Sequence, residues 1–159
     1  MKIHIDWSSG ITLDESYELN GPTDYGVYQI YGSHPVYGHN VLLYIGKANY
    51  QTFGVRLFQH DKWLLNQDSS NVRVYIGRIS SDEKNDQNWE LKIDLAESLL
   101  IYCHQPACNS SNIKSVKNIP LETHVLNWLD RGMLLAEVSA YRYLVNNNEF
   151  DRFDVLSLK

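Results

Sequence analysis

Two tyrosines stand close to glycines in two short apolar segments of the chain. Tyr28 follows Gly26 in GVYQIY, and Tyr44 precedes Gly46 in NVLLYIG. Both segments are rich in β-forming residues and are joined by the loop SHPVYGHN, a pattern that predicts a hairpin. A strand tyrosine is usually a packing residue. Pairing of these two strands would nevertheless bring two phenols to one end of a sheet.

Arg56 and His60 lie four residues apart in TFGVRLFQHDKWLLN. This segment is predicted to be a helix because its apolar residues recur at helical spacing: Phe53, Leu57, Phe58, Leu64 and Leu65. The spacing of four places Arg56 and His60 on one face, at the border of the apolar stripe. From there both side chains could reach a cleft while the apolar stripe packs on the sheet. Taken alone, such a pair usually lies on a solvated helix face.

Glu97 lies in a second helical segment, NWELKIDLAESLLIYC. We expect this helix to be buried because apolar residues cover more than half of its circumference: Trp89, Leu91, Leu95, Leu99, Leu100 and Cys103. A carboxylate at the edge of a buried face is costly unless it is paired or binds a metal. Glu97 could therefore form an ion pair with Arg56, bind Mg²⁺, or snorkel to the surface.

The remaining segments predict further elements. NVRVYIGRIS, residues 71–80, alternates apolar and polar side chains and predicts a third strand. HVLNW predicts a short strand and LDRG a turn. MLLAEVSAYRYLV, residues 133–145, could be helix or strand, and helix is preferred. SSDEKNDQN, residues 80–88, is predicted to be a polar loop.

Length and composition are those of one globular domain. The chain has 159 residues, of which 43% are hydrophobic and 21% charged. No apolar stretch approaches the roughly 20 residues needed to span a bilayer, and MKIHIDWSSG does not resemble a signal peptide. We therefore expect a soluble, cytoplasmic protein without a membrane partner. Cys103, His104 and Cys108 supply only three ligands where zinc needs four, so the cysteines are interpreted as reduced and structural.

The charge of the chain is unevenly distributed. The net charge is −5, which argues mildly against nucleic-acid binding. Residues 43–80, however, carry five basic and two acidic side chains, a net +3, whereas residues 1–25 and 81–97 each carry a net −4. A local basic region can bind phosphates within an acidic protein. The alternative is that these are ordinary solvated charges.

The order of these residues along the chain resembles the GIY-YIG nuclease family. GVY is followed by YIGK, then by Arg56-x-x-x-His60, then by Glu97 within an apolar helix, and then by Asn109 twelve residues on. The pattern spans about residues 24–112, and the second YIG, at 75–77, corresponds to the third strand. The resemblance implies an α+β fold with a three-stranded antiparallel sheet flanked by helices. Residues 1–159 would form a single domain, with 24–112 as the nuclease core and 113–159 as a C-terminal extension packing on that core.

The resemblance also implies phosphodiester hydrolysis with one divalent metal ion, Mg²⁺ or Mn²⁺. Tyr28 would be the general base or would orient the attacking water, with His60 taking or sharing its proton and Tyr44 assisting. Arg56 would bind the scissile phosphate, and Glu97 would hold the metal. Because the reference pKa of a tyrosine is near ~10, the phenol needs nearby positive charge to act as a base at pH 7.

Lys47 and Asn109 complete the implied site. Together with Arg56 they would form the substrate-binding set, Lys47 as a further phosphate-site cation. Asn109 would hold the segment after the second helix in place by hydrogen bonds.

DNA is the expected substrate, although the core residues do not exclude RNA. Specificity could come from a protein partner, and the oligomeric state is undetermined. The alternative is a catalytically silent nucleic-acid-binding or protein-interaction module that retains the fold, which the negative charge and the lack of a recognition domain favour. In the extension, a set of basic and aromatic side chains could form a stacking and phosphate surface, but a cap packed on the sheet is preferred: Trp128, Arg131, Tyr141, Arg142 and Tyr143.

Overall fold

The computed structural model describes residues 1–60, 71–80 and 88–145. Its strands are β1 Lys2–Trp7, β2 Gly26–His34, β3 Gly38–Ala48, β4 Arg73–Ile79, β5 His124–Leu129 and β6 Glu137–Ser139. Its helices are α1 Leu13–Tyr17, α2 Phe53–Phe58, α3 Trp89–His104 and α4 Ala140–Leu144. The strands form one mixed sheet in the order β3-β2-β4-β1-β5-β6. Among these helices, none is long and apolar enough to cross a bilayer.

The predicted α+β class is confirmed, but the sheet has six strands instead of three. The three predicted strands are β2, β3 and β4, which pair antiparallel. β1 was not predicted, although Ile3, Ile5 and Trp7 alternate and are at most 1% exposed. It pairs antiparallel with β4 and parallel with β5. The sheet therefore continues beyond the hairpin unit because β1 pairs with β4 on one side and with the distant β5 on the other.

Helices cover both faces of the sheet. On one face, Ile93, Ala96 and Leu100 of α3 pack in one buried cluster with Ile45 of β3. On the other face, the buried cluster includes residues of α2 and β2, among them Phe53, Leu57, Tyr28 and Ile30. α1 adds Leu13 to this second cluster. The glycine–tyrosine hairpin is thus held between a long helix and two short ones.

Two of the predicted helical stripes are only partly correct. Phe58 is 63% exposed and lies edge-on to Tyr17, with ring centroids 5.5 Å apart. Leu91 is 47% exposed, whereas Lys92 is buried, so the buried face of α3 covers a lysine stem and leaves out one of the predicted apolar residues. The second half of the first predicted helix, from residue 61, lies outside the described residues, as do residues 81–87 of the predicted loop.

The predicted helix over 133–145 is wrong in its first half. Glu137–Ser139 forms β6, whose Val138 pairs with Val125 of β5, and helix begins only at Ala140. MLLAE favours helix locally, but burial of Val138 against the sheet outweighs that preference. The strand predicted from HVLNW is confirmed as β5.

Candidate active site

Strand pairing explains why tyrosine and glycine recur together in the hairpin. Tyr28 on β2 lies opposite Gly46 on β3. A Cβ atom at position 46 would lie 2.5 Å from Cζ of Tyr28 and 2.7 Å from Cε1 of Tyr44, so only glycine leaves room for the two rings. The ring centroids of the two tyrosines are 6.3 Å apart. Gly26 has φ +148°, and a side chain there would collide with the carbonyl of Gly77.

The hydroxyl of Tyr28 forms a 2.6 Å hydrogen bond with Nε2 of His60. His60 follows α2, and its backbone N–H donates to the carbonyl of Leu57 at 2.9 Å. The imidazole is buried, with its centroid 4.9 Å from that of Tyr44. Two residues that are 32 positions apart therefore share one short, buried hydrogen bond.

Burial sets the protonation states of this pair. Burial, helped by the positive charge of Arg56, lowers the pKa of His60 to about 4, so the imidazole is neutral at pH 7. Burial is also the largest cause that raises the pKa of Tyr28, and the neighbouring Tyr44 raises it further. The positive charge of Arg56 opposes this shift. The phenol keeps its proton, and in the Nδ1-protonated tautomer of His60 it donates that proton to Nε2.

Arg56 lies one helical turn before His60 and points toward the same side chains. Its Nη1 donates to Oε1 of Gln59 at 2.7 Å. It lines a cavity of about 310 Å³ together with Lys47 and Gln59. Burial also raises the pKa of Tyr44, which the charge of Arg56 opposes. A guanidinium thus borders both phenols and an accessible cavity, as a phosphate-binding group must.

Glu97 forms an ion pair with Lys47 rather than with Arg56. Nζ of Lys47 lies 3.2 Å from Oε2 of Glu97 and 3.0 Å from Oδ1 of Asp94. Burial raises the pKa of Glu97, and Lys47 counteracts this rise. For Lys47, burial lowers the pKa, but Glu97 and Asp94 outweigh it and the net change is upward. Two carboxylates therefore compete for one ammonium group.

The two halves of the site meet around β3, which is the last strand of the sheet. Lys47 points to the same face as Ile45, toward α3, whereas Tyr28 packs on the opposite face with α2. Because no strand among the described residues lies beyond β3, side chains from both faces can approach each other at its edge. The charge of Glu97 raises the pKa of Tyr28 and of Tyr44, whereas the charge of Arg56 lowers both.

Asn109 fastens the chain after α3 to this same edge. Its Oδ1 accepts from the backbone N–H of Ile45 at 3.0 Å, and its Nδ2 donates to the carbonyl of Ile45 at 2.9 Å. The backbone N–H of Cys108 donates to the carbonyl of Leu43 at 2.7 Å. The side-chain amide of Asn109 therefore satisfies backbone groups of β3 that a further strand would otherwise bind. It also holds the chain after α3 against the edge of β3 near the site.

Two residues that were not singled out from the sequence also belong to the site. Asn49 is buried and donates from Nδ2 to Oδ1 of Asp94 at 2.7 Å. This bond orients the carboxylate that shares Lys47 with Glu97. The only sequence signal is position, since Asp94 precedes Glu97 by three residues on α3 and Asn49 follows Lys47 by two.

The side chains of the proposed surface in the extension are dispersed. The indole of Trp128 stacks on the ring of His4, with centroids 6.0 Å apart and planes at 4°. Nε of Arg131 donates to the carbonyl of Leu134 at 2.9 Å and holds its own loop. Tyr143 packs against the main buried cluster, whereas Tyr141 is 53% exposed.

Within residues 1–60, 71–80 and 88–145, no group of three or more His, Cys, Asp or Glu side chains could hold a metal ion. A site built on Glu97 would therefore depend on one or two carboxylates and on water. No family model matches the chain, and no curated protein or solved structure matches it either.

Proposed function

We propose that the protein is a DNA endonuclease of the GIY-YIG type that hydrolyses phosphodiester bonds with one divalent metal ion, Mg²⁺ or Mn²⁺. The observation that carries this proposal is the 2.6 Å hydrogen bond between Tyr28 and a buried, neutral His60. A bond of this kind is what a proton-accepting pair requires. The antiparallel unit of β3, β2 and β4, with α2 and α3 on its two faces, supports the corresponding core fold.

Proton transfer falls to Tyr28 and His60. Hydrolysis needs a water molecule that loses a proton as it attacks phosphorus. His60 is neutral and can accept the proton of Tyr28, which leaves the phenol oxygen able to take a proton from the water. Tyr44 lies 6.3 Å from Tyr28, centroid to centroid, and borders the same space with a partly buried ring.

Arg56 and Lys47 provide the positive charge for the phosphate. Both line the 310 Å³ cavity. The planar guanidinium of Arg56 can bind two phosphate oxygens at once. Stabilisation of the charge that develops on these oxygens is the largest single contribution expected in such a site.

Glu97 is the residue that would hold the metal, with Asp94 beside it. Both carboxylates lie within reach of one ammonium group, so two negative charges share a single positive one and the three side chains together carry a net negative charge. Hard oxygen ligands and a site that leaves room for water suit Mg²⁺. When bound, the ion would supply positive charge next to the scissile phosphate.

Nicking of supercoiled plasmid tests this function. The wild-type protein should nick in Mg²⁺ and in Mn²⁺ but not in EDTA. Tyr28→Phe and Glu97→Gln should each lower the rate by roughly 10²-fold or more. Tyr37→Phe and Glu122→Gln change exposed residues of the same types outside the site and should cleave like the wild type. Equal nicking by all five proteins would point to a contaminating nuclease and refute the proposal.

A second candidate is a catalytically silent module that binds nucleic acid or protein. Two observations favour it: Tyr28 is 0% exposed, and Lys47 already engages Glu97. This candidate predicts that the wild-type protein shifts labelled DNA in a gel but leaves it intact with either metal. Cleavage that disappears with Glu97→Gln would exclude it.

A further inference from the structure

A second cavity, of about 510 Å³, lies beside the candidate active site. It is formed where the chain before β2, the end of β4 and the start of α3 meet. Its wall contains three aromatic side chains, Tyr25, Tyr50 and Trp89. Tyr25 and Trp89 contact each other edge-to-face, with centroids 5.9 Å apart and planes at 77°. This volume falls in the range of roughly 300–1,000 Å³ that is typical of small-molecule sites.

Tyr50 is the most accessible ring of this cavity. Its side chain is 78% exposed, although it directly follows the buried Asn49. An exposed ring at the mouth of an aromatic-lined cavity can stack on a planar ligand without any rearrangement of the core. The cavity therefore offers a π-surface rather than a purely aliphatic one.

The polar wall of the cavity is nearly neutral. Arg78 donates from Nη2 to Oδ1 of Asp24 at 2.6 Å and from Nε to the carbonyl of Thr23 at 3.2 Å. Its charge is thus balanced and its position fixed, while Glu90 adds a negative charge. A phosphate gains little from such a wall, whereas the hydrogen-bonding edge of an uncharged planar ring is well suited to it.

The two cavities are adjacent and differ in charge. Asn49 and Tyr50 line both of them, and the smaller cavity also contains Lys47 and Arg56. The guanidinium of Arg56 in the smaller cavity offers positive charge for a phosphate, and the larger cavity offers an aromatic wall for a base, so the two match the two parts of a nucleotide.

We propose that the larger cavity binds one unpaired DNA base, stacked on Tyr50, whose own phosphate lies at Arg56 and Lys47. This inference rests on the proposed function and specifies its substrate class, a strand with an unstacked nucleotide such as a single strand, a flap or an extruded base. A base inside a regular duplex is inaccessible to a cavity of this kind unless it is flipped out. The protein should therefore prefer unpaired over fully paired DNA.

Binding without cleavage tests the inference. The probe is a short single-stranded oligonucleotide that contains 2-aminopurine, titrated with the protein in EDTA, so that catalysis plays no part. Stacking on Tyr50 should change the fluorescence of 2-aminopurine on binding. Tyr50→Ala should weaken binding roughly 5- to 100-fold, the range expected for one base–aromatic stack. Tyr50→Trp should restore both affinity and signal, because it restores a stacking surface.

Controls separate this inference from the nuclease proposal. Tyr37→Ala removes a tyrosine that is also largely exposed, 67%, but lies outside the cavity, and should bind like the wild type. An abasic nucleotide in place of 2-aminopurine should weaken wild-type binding as much as Tyr50→Ala does. If Tyr50→Ala binds and responds like the wild type while the wild type still nicks plasmid, base binding is refuted and the nuclease proposal stands. If the Tyr50-dependent signal appears but no DNA is cut, the base site stands and the nuclease proposal falls. A preference for duplex over single strand would also overturn the inference.

Discussion

The ring of Tyr28 lies directly over Gly46 of the neighbouring strand, and its Cζ is 2.5 Å from the place a Cβ would occupy. The hydroxyl of Tyr28 in turn reaches His60. Because Gly46 has no side chain, the phenol of Tyr28 can lie over it and reach His60. The strand register that pairs these two residues therefore positions the proposed proton-transfer pair.

Gly46→Ala should displace the ring of Tyr28 and lower the free energy of unfolding by roughly 1–3 kcal/mol, the usual cost of overpacking. Because the hydroxyl oxygen is the atom nearest to the new methyl group, Tyr28→Phe should relieve part of the strain. Chemical denaturation of the two single variants and the double variant should reveal coupling of roughly 0.5–3 kcal/mol. Strictly additive effects would contradict the close contact.

His60 should make stability depend on pH. Burial lowers its pKa from 6.5 to about 4, so between these values the unfolded chain binds more protons than the folded one. The free energy of unfolding should therefore decrease as pH falls through this window, by at most about 1.4 kcal/mol per pH unit. Denaturant titrations at pH 7 and pH 5 measure the change.

His60→Gln serves as the reference for this pH effect, because it removes the titrating group and leaves the other ionisable residues in place. Burial raises the pKa of Glu97, which acts in the opposite direction, and this contribution is common to both proteins. The wild type should lose more stability than His60→Gln on acidification. An identical loss in both would show that His60 is not buried in the neutral form.

Asn109→Ala should destabilise the protein without weakening contact with substrate. The substitution removes the two hydrogen bonds that the side chain of Asn109 forms with the backbone N–H and the carbonyl of Ile45. The expected loss is roughly 1–3 kcal/mol in the free energy of unfolding, with Ser110→Ala, an exposed neighbour, as the control. Unchanged stability together with weaker DNA binding would instead place Asn109 directly on the substrate.

Tyr31→Phe should loosen the loop that follows β5. The hydroxyl of Tyr31 donates to Oε1 of the fully buried Gln29 at 2.6 Å and accepts from the backbone N–H of Met133 at 2.9 Å. Burial raises the pKa of Tyr31 to about 12, so it remains a donor at neutral pH. Without this hydroxyl, the amide of Met133 should exchange with solvent roughly tenfold faster or more. Tyr75→Phe, a change to the ring 5.1 Å away, should leave that exchange rate unaltered.

The secondary-structure elements that could be predicted are those whose conformation is indicated by the residue pattern of a short segment. β2, β3 and β4 alternate or consist of β-forming residues, and α3 has a long apolar helical pattern, so these elements could be recognised in the sequence. β6 could not, because its strand conformation depends on pairing with β5. The parallel pairing of β1 with β5 joins residues about 120 positions apart and leaves no signal in a short window.

The order of Tyr28, Arg56, His60 and Glu97 in the sequence suggested one cleft. The structure shows a contact between Tyr28 and His60, and it pairs Glu97 with Lys47. The partners of each side chain could not be predicted. The pairing of Glu97 with Lys47, and the two hydrogen bonds from Asn109 to Ile45, depend on how the faces of the sheet meet at that edge. The catalytic roles remain predictions.

β1 has a practical consequence for any attempt to isolate the motif-bearing segment. It pairs with Gly77, Arg78 and Ile79 of β4 on one side and with all of β5 on the other. A fragment limited to 24–112 would lose this partner and leave β4 with unsatisfied backbone groups, which recruit strands from other molecules. We expect such a fragment to self-associate, whereas polypeptides that retain residues 2–7 and 124–129 should stay monodisperse.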